Sequence, residues 1–271
     1  MASLLVSSNL AGFPDLLVLI LSLRNVEKEP LDVFLLSATF ADYDPRYEGL
    51  SEKEAGFLRD ILKEGNPDND LSLDDLTPRV KRDFPYLAHF SHRYTPYSLF
   101  RLYADSLPFS PEKLLYLDTD IVVMKPLDEL FKKDLKGYDL ALVKDPVGAP
   151  VKGKNYGNSG VLLLNLPQIK ADGAFERCRN AIALKKHGAY DQDAINRECQ
   201  KLFLPEKYNE QKKTKEETII RHYPRYLRIF PYLHDQVIRP SNPDLFRAHY
   251  PHEHEVLLQE FEKELRRYHG K

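Results

Sequence analysis

An apolar stretch interrupted by two carboxylates lies between positions 113 and 123: Lys113-Leu114-Leu115-Tyr116-Leu117-Asp118-Thr119-Asp120-Ile121-Val122-Val123. Such a short run, rich in Leu, Ile and Val, predicts a central strand of a parallel sheet that is buried on both faces. Asp118 and Asp120 are two residues apart, so their side chains would leave the same face of an extended chain. The pair therefore predicts an oxygen-rich site for a hard divalent cation that also binds phosphate. The alternative is a turn that carries two solvated aspartates.

The composition bounds the class of protein. The chain has 271 residues, of which 42% are hydrophobic, which is enough for one large α/β domain. We place that domain over residues 1–245, with a C-terminal helical tail over residues 246–271 packed on it. The net charge of -2, from 39 basic and 41 acidic residues, gives no reason to expect nucleic acid as a partner. The oligomeric state stays open.

The cysteines and the apolar runs bear on location. Cys178 and Cys199 show neither a C-x-x-C spacing nor a disulfide-rich pattern, which is typical of a reducing compartment. The run from Leu16 to Leu21 is too short to span a membrane and lacks the flanks of a signal peptide. We therefore expect a cytoplasmic protein with no transmembrane segment, and peripheral association with a membrane is the alternative.

The order of elements at the start of the chain indicates a parallel sheet. Residues 3–7 and 31–36 are apolar strands, and a helix beginning at Pro14 connects them in a βαβ unit. Ser51 and Glu54 form a capping box for a helix that ends near Gly65, and residues 66–82 are expected to form a loop. The remaining pattern predicts strands at 140–143, 161–164 and 218–223, and helices at 97–107, 127–131, 175–186, from 191 and over 257–268.

Three polar residues have ordinary interpretations when they are considered singly. An arginine on a helix, such as Arg101, is usually solvated. Asp191 precedes a helical pattern and is a natural N-cap. A histidine at the end of a strand, such as His222, is more often a surface or hydrogen-bonded group than a metal ligand.

Taken in order, the motifs resemble the family-8 glycosyltransferases, the retaining enzymes typified by glycogenin and the bacterial lipopolysaccharide galactosyltransferases. The resemblance runs from about Ser3 to about Arg239 and is carried by Phe100-Arg101-Leu102, Leu107-Pro108, Leu115-Tyr116-Leu117-Asp118-Thr119-Asp120, Pro126-Leu127, Asn158-Ser159-Gly160-Val161, Asp191-Gln192-Asp193 and Ile220-Arg221-His222. It implies a GT-A fold, in which helices flank a Rossmann-like, mostly parallel sheet. It also implies transfer of a hexose from a UDP-sugar donor to a hydroxyl of a saccharide or lipid-linked saccharide acceptor.

The same resemblance implies a metal site formed by Asp118, Asp120 and His222. One imidazole among carboxylate and phosphate oxygens favours Mn²⁺, with Mg²⁺ as the alternative ion. Asp118 would also lie near the ribose. The nucleotide-sugar would further contact Asn158 and the two residues after the first strand, Ser8 and Asn9.

The resemblance places Arg101, Asn158, Asp191 and Gln192 at the donor sugar, with Arg101, Asp191 and Gln192 as the catalytic group. Breaking the anomeric bond leaves negative charge on UDP and positive charge on the sugar ring. Gln192 is poorly suited to act as a nucleophile, and Asp191 is only a conceivable one. We therefore favour attack by the acceptor on the same face of the sugar, with the leaving phosphate as base.

The chain departs from the family pattern at two places. Ala11-Gly12 stands where the family usually has Asn-Tyr to hold uracil. The family's Gly-x-x-Lys-Pro-Trp segment, which closes over the diphosphate, is missing, and the chain has no tryptophan. Arg225 and Arg239 are the two candidates to replace the lysine charge.

Two other classes of protein remain as alternatives. A non-catalytic protein of the same fold that binds a sugar nucleotide would explain the departures from the family pattern. A haloacid-dehalogenase-type phosphatase would also use Asp118-Thr119-Asp120-Ile121-Val122 after an apolar strand. That motif normally follows the first strand of its domain, and the sequence shows no later Gly-Asp-x-x-x-Asp motif.

Overall fold

A seven-stranded sheet forms the centre of the protein. The computed structural model describes residues 2–84, 95–108, 111–184, 190–228 and 234–270. The strands of the central sheet are β1 (Ala2–Ser7), β2 (Leu31–Ser37), β3 (Asp70–Asp75), β4 (Lys113–Leu117), β6 (Leu140–Lys144), β7 (Gly157–Asn165) and β8 (Lys201–Leu204). Two small sheets pair β5 (Ile121–Val123) with β9 (Ile220–His222), and β10 (Tyr226–Arg228) with β11 (His234–Gln236).

The central sheet is mostly parallel, as predicted. Its order is β3-β2-β1-β4-β7-β6-β8, and the first four strands are parallel to one another. Strand β7 is antiparallel to both of its neighbours, while β8 is parallel to β6. The carboxyl ends of β1 and β4 therefore lie side by side. Ligands bind beside the carboxyl ends of the strands in open α/β sheets.

Helices cover both faces of this sheet. They are α1 (Phe13–Val26), α2 (Glu52–Gly65), α3 (Thr77–Asp83), α4 (Asp128–Phe131), α5 (Ala149–Lys152), α6 (Leu166–Asp172), α7 (Ala174–Ala183), α8 (Asp191–Glu198), α9 (Pro243–His249) and α10 (Glu255–His269). Apolar side chains of α1, α2 and α10 form one core, and those of α6, α7, α8 and a 3₁₀ helix at Pro96–Ser106 form the other. No helix in the described ranges is both long and apolar enough to cross a bilayer.

The last helix, α10, packs on the first. The ring of Tyr268 lies 4.5 Å from that of Phe13 and 5.2 Å from that of Phe57, measured between centroids. The Tyr268 hydroxyl donates a hydrogen bond to the Glu54 carboxylate, so the end of α10 also contacts the capping box that begins α2. These contacts join α10 to α1 and α2.

Two predicted elements differ from the structure. The run from 113 to 123 is not one strand, because β4 ends at Leu117 and β5 leaves the central sheet to pair antiparallel with β9. The predicted loop over residues 66–82 contains β3 and α3. Strand β3 is the outermost strand of the sheet and has polar residues at every second position from Asp70, so it lacks the continuous apolar run that marks the central strands.

Candidate active site

Three potential metal ligands converge beside the carboxyl end of β4. Asp118 and Asp120 lie in the turn between β4 and β5, and His222 is the last residue of β9. One ligand atom from each residue lies within 4.8 Å of the other two. The pairing of β5 with β9 produces this convergence, because it places Ile121 opposite His222 and lets the Tyr223 amide donate to the Asp120 carbonyl at 2.8 Å.

A glycine on the neighbouring strand makes room for two of these side chains. A Cβ atom on Gly160 would lie 2.4 Å from Cε1 of His222 and 2.9 Å from Oδ2 of Asp118. The Gly160 carbonyl accepts a hydrogen bond from the Asp118 amide at 2.8 Å, so the strand cannot simply move away. The sequence indicated only a Gly/Asn turn at this position, and the close approach of the metal-site side chains was missed.

Two asparagines set the orientation of the His222 ring. The Gly160 amide donates to Oδ1 of Asn158 at 2.9 Å, and Nδ2 of Asn209 donates to the same oxygen at 2.9 Å. Oδ1 of Asn209 must then face Nδ1 of His222, 2.9 Å away, so Nδ1 carries the ring proton. Because a backbone amide can only donate, this chain of bonds fixes the orientation of each group and leaves Nε2 facing the carboxylates. No local pattern in the sequence marks Asn209 as part of the site.

The arrangement around Asp120 fits a metal ion. Its buried Oδ1 atom has no hydrogen-bond donor among the described residues, and it lies 3.1 Å from Nε2 of His222. A lone pair and a carboxylate oxygen repel each other at this distance unless a proton or a metal cation lies between them. Together with Asp118, the donor set of carboxylate oxygens and one imidazole nitrogen suits a divalent transition metal.

Arg101 is buried, so the interpretation as a solvated helix arginine is wrong. Only 4% of its side chain is exposed, and its guanidinium carbon lies 4.5 Å from the centroid of the Tyr116 ring. Nη2 donates to Oδ1 of Asp118 at 2.9 Å, and Nε lies 3.3 Å from Oδ2 of Asp191. Arg101 therefore links one carboxylate of the metal group to the carboxylate at the start of α8.

Asp191 does not cap α8, so that prediction is also wrong. Tyr190 is the N-cap residue, and Asp191 is the first residue of the helix. The Asp191 carboxylate instead faces Arg101, whose Nε lies 3.3 Å from Oδ2. Burial raises the pKa of Asp191 above its usual range, although the Arg101 charge opposes the rise.

The amide of Gln192 is engaged at both ends. Its Oε1 atom accepts a hydrogen bond from the Ser159 amide at 3.1 Å, and its Nε2 atom donates to Oδ2 of Asp145 at 2.8 Å. The structure therefore brings Arg101, Asp191 and Gln192 together around Ser159. Asp145 is buried and was not among the predicted site residues.

Ser8 and Asn9 follow β1 at the same edge of the sheet, but their polar atoms contact the protein. Oδ1 of Asn9 accepts from the Gly12 amide at 3.1 Å, while its Nδ2 donates to the Arg46 carbonyl at 2.7 Å. The Ser8 hydroxyl donates to the Asn9 carbonyl at 3.2 Å. A Cβ atom on Gly12 would lie 2.5 Å from Oγ of Ser8, so a larger residue there would require Ser8 to move. The predicted nucleotide contacts of these residues stay a prediction.

Arg239 reaches the metal group from the C-terminal part of the chain. One terminal nitrogen contacts the carboxylate of Asp15 on α1, and the other lies 3.5 Å from Oδ2 of Asp120. The Ser241 hydroxyl donates to the same Asp15 carboxylate. Burial raises the pKa of Asp15, and the Arg239 charge opposes that rise. Of the two arginines considered as replacements for the family's lysine, Arg225 is exposed and Arg239 lies beside Asp120.

The chain is similar to known glycosyltransferases in sequence and in fold. The glycosyltransferase GlyA of Streptococcus pneumoniae is 45% identical over 69 residues, which are 26% of this chain and 10% of GlyA. The lipopolysaccharide 1,2-glucosyltransferase of Escherichia coli is 33% identical over 126 residues, 41% of this chain and 37% of that enzyme. The galactosyltransferase LgtC, solved with donor and acceptor sugar analogues, superposes with a TM-score of 0.66 at 18% identity, over 97% of this chain and 94% of LgtC.

The similarities in sequence and in structure cover different shares of the related proteins. This chain aligns with only a small part of the length of the curated relatives, whereas it covers nearly all of LgtC in structure. The fold is of the GT-A type, as the resemblance implied. The sequence model named "Glycosyl transferase family 8" matches residues 72–230, which are more than half of the chain and include the Asp118 turn, α8 and His222. The chain therefore belongs to glycosyl transferase family 8.

Proposed function

We propose that this protein transfers a hexose from a UDP-sugar to a hydroxyl of a saccharide or lipid-linked saccharide, with retention of anomeric configuration and with a divalent metal ion. The observation that carries the metal dependence is the buried Oδ1 of Asp120, which has no hydrogen-bond donor among the described residues and lies 3.1 Å from Nε2 of His222. Membership of the family supports sugar transfer. The donor and acceptor analogues bound by LgtC support a nucleotide-sugar donor and a sugar acceptor.

Asp118, Asp120 and His222 would hold the ion. A metal ion bound there would neutralise the negative charge that develops on the leaving diphosphate. The imidazole of His222 favours Mn²⁺ over Mg²⁺, since nitrogen ligands suit a transition metal better than they suit Mg²⁺. His222 already has its Nδ1 proton bonded to Asn209, so no rearrangement of the ring is required for Nε2 to act as a ligand.

Asn158 offers the clearest donor to the substrate. Its Oδ1 atom accepts two hydrogen bonds, from the Gly160 amide and from Asn209, and this fixes the orientation of the amide. Its Nδ2 atom has no acceptor among the described residues. The Asn158 amide nitrogen can therefore donate to a hydroxyl of the donor sugar or to a diphosphate oxygen without breaking a contact with any residue that the structure describes.

The contacts of Asp191 and Gln192 favour attack on the same face of the sugar. The Gln192 carbonyl oxygen already accepts from the Ser159 amide, and the Asp191 carboxylate is paired with Arg101. Both oxygens are poor nucleophiles while these contacts persist. The acceptor hydroxyl then forms the new bond to the anomeric carbon as the bond to the phosphate oxygen breaks, and its proton passes to that leaving oxygen. The Asp191 charge stabilises the cationic sugar centre.

The two alternative functions are weaker. The Asp118 turn follows β4 rather than the first strand, and family membership disfavours a phosphatase. A non-catalytic protein would bind UDP and Mn²⁺ without turnover.

The test is to measure UDP release from UDP-glucose, UDP-galactose and their N-acetyl forms, with Mn²⁺ or with a chelator. Release that requires Mn²⁺ and is lost in Asp120→Asn supports the transferase. Tight binding of UDP with Mn²⁺ and no release from any of these donors would support the binding protein.

A further inference from the structure

Arg239 bridges two carboxylates that come from distant parts of the chain. Asp15 lies in the first turn of α1, and Asp120 lies in the turn after β4. Nη1 of Arg239 contacts Asp15, while Nη2 lies 3.5 Å from Oδ2 of Asp120. The guanidinium is thus held by one carboxylate and shared with a candidate metal ligand.

Asp15 has no other evident use. It is a buried carboxylate on a helix whose buried positions from Phe13 to Leu23 are otherwise almost all apolar. Such a charge is costly to bury unless it is paired and hydrogen-bonded. Its two oxygens contact Arg239 and Ser241, and the helix N-terminus favours its negative charge. The only described polar side-chain contacts of Asp15 therefore fasten the segment 239–241 to α1.

Both carboxylates of the metal group already face a guanidinium. Arg101 donates to Asp118 at 2.9 Å, and Arg239 lies 3.5 Å from Asp120. A divalent cation that enters between these carboxylates gains their attraction but is repelled by the two positive charges. A diphosphate that enters with the cation reverses this balance, because it is attracted by the cation and by the guanidinium groups.

We propose that Asp15 is a positioning residue that holds Arg239 beside Asp120, and that this makes tight binding of a divalent cation conditional on an accompanying diphosphate. The inference rests on the proposed metal-dependent function. The role of Asp15 and Ser241 goes beyond that function. So do the opposite effects that loss of Arg239 should have on Mn²⁺ binding without UDP and on Mn²⁺ binding with UDP.

Calorimetric titration tests the inference. Mn²⁺ is titrated into the protein alone and into the protein saturated with UDP, and the ratio of the two affinities measures the coupling. In Arg239→Met we expect Mn²⁺ alone to bind more tightly, Mn²⁺ with UDP to bind more weakly, and the coupling to fall at least about fivefold. Asp15→Asn should lower the coupling in the same direction, because an amide holds the guanidinium less firmly. Arg239→Lys keeps the charge and should retain part of the coupling.

Arg247 supplies a matched control. It also bridges two carboxylates, those of Glu255 and Glu262, but it lies between α9 and α10. Arg247→Met should leave both Mn²⁺ affinities as in the parent. If the parent binds Mn²⁺ with UDP and the coupling is unchanged in Arg239→Met and Asp15→Asn, the inference is overturned and the proposed function stands. If the parent binds no Mn²⁺ even with UDP, both are overturned.

Discussion

Asn209 should control metal affinity although it is not a ligand. In Asn209→Ala, Nδ1 of His222 loses its acceptor, and the ring proton can move to Nε2, where Oδ1 of Asp120 lies 3.1 Å away. A metal ion would then have to displace that proton. Loss of such an orienting bond typically costs about 10–100-fold in metal affinity, which corresponds to about 1.4–2.7 kcal/mol. The assay is calorimetric titration of Mn²⁺ in the presence of UDP.

Asn69 gives the matched control for the loss of a buried amide. Its Oδ1 accepts from the Leu31 amide at 2.8 Å and its Nδ2 donates to the Leu62 carbonyl at 2.8 Å. These contacts lie at the amino ends of β2 and β3, whereas the site lies at the carboxyl ends of the strands. Each alanine variant leaves at least one buried polar group unpaired, which costs about 1–3 kcal/mol of unfolding free energy. Both variants should therefore have a lower melting temperature than the parent, but only Asn209→Ala should bind Mn²⁺ more weakly. Parent-like Mn²⁺ affinity in Asn209→Ala would refute the tautomer argument.

Three further predictions concern the site and its surroundings. Gly160→Ala should fold with parent-like circular dichroism yet lose detectable Mn²⁺ binding, because its methyl group would lie 2.4 Å from the His222 ring. Asp191→Asn should bind UDP with Mn²⁺ like the parent but turn over at least about tenfold more slowly, a barrier increase of roughly 1.4 kcal/mol; equal turnover would remove Asp191 from the sugar pocket. Burial lowers the pKa of His254 to about 4. Since an unfolded histidine has a pKa near 6.5, urea stability should fall as the pH drops from about 6.5 to about 4. His254→Asn should flatten that dependence, and an unchanged slope would contradict the assignment.

The fold class could be predicted because central parallel strands have a strong local signal. Strands β1 and β2 are buried on both faces and are apolar runs in the sequence, and the capping box of Ser51 and Glu54 marks the start of α2 as expected. Strand β3 has only one neighbour in the sheet, and polar residues occupy every second position from Asp70. Its short alternating pattern is a weaker signal than an apolar run, and for this reason the sequence pattern predicts a loop there.

The roles of single polar residues depended on partners far away in the chain. A capping rule considers only the few residues around Asp191, but the structure pairs its carboxylate with Arg101. The same holds for Asn209, which lies in a charged segment with no pattern of its own and still fixes the His222 ring. The motifs of the family identified which residues meet, whereas the hydrogen bonds that orient them could be read only from the structure.

The break in the strand after Leu117 explains how a two-carboxylate motif becomes a three-ligand site. If residues 113–123 formed one strand, Asp118 and Asp120 would share a face, but the sheet neighbours β1 and β7 would supply no histidine. Because β5 instead leaves the sheet and pairs with β9, the backbone of Asp120 bonds to Tyr223 and the side chain of His222 enters the site. The apolar residues of β5 and β9 are buried together in the core that includes α1. Packing of this small sheet therefore fixes the distance between the carboxylates and the imidazole. Core substitutions in β5 would change that distance at the metal site.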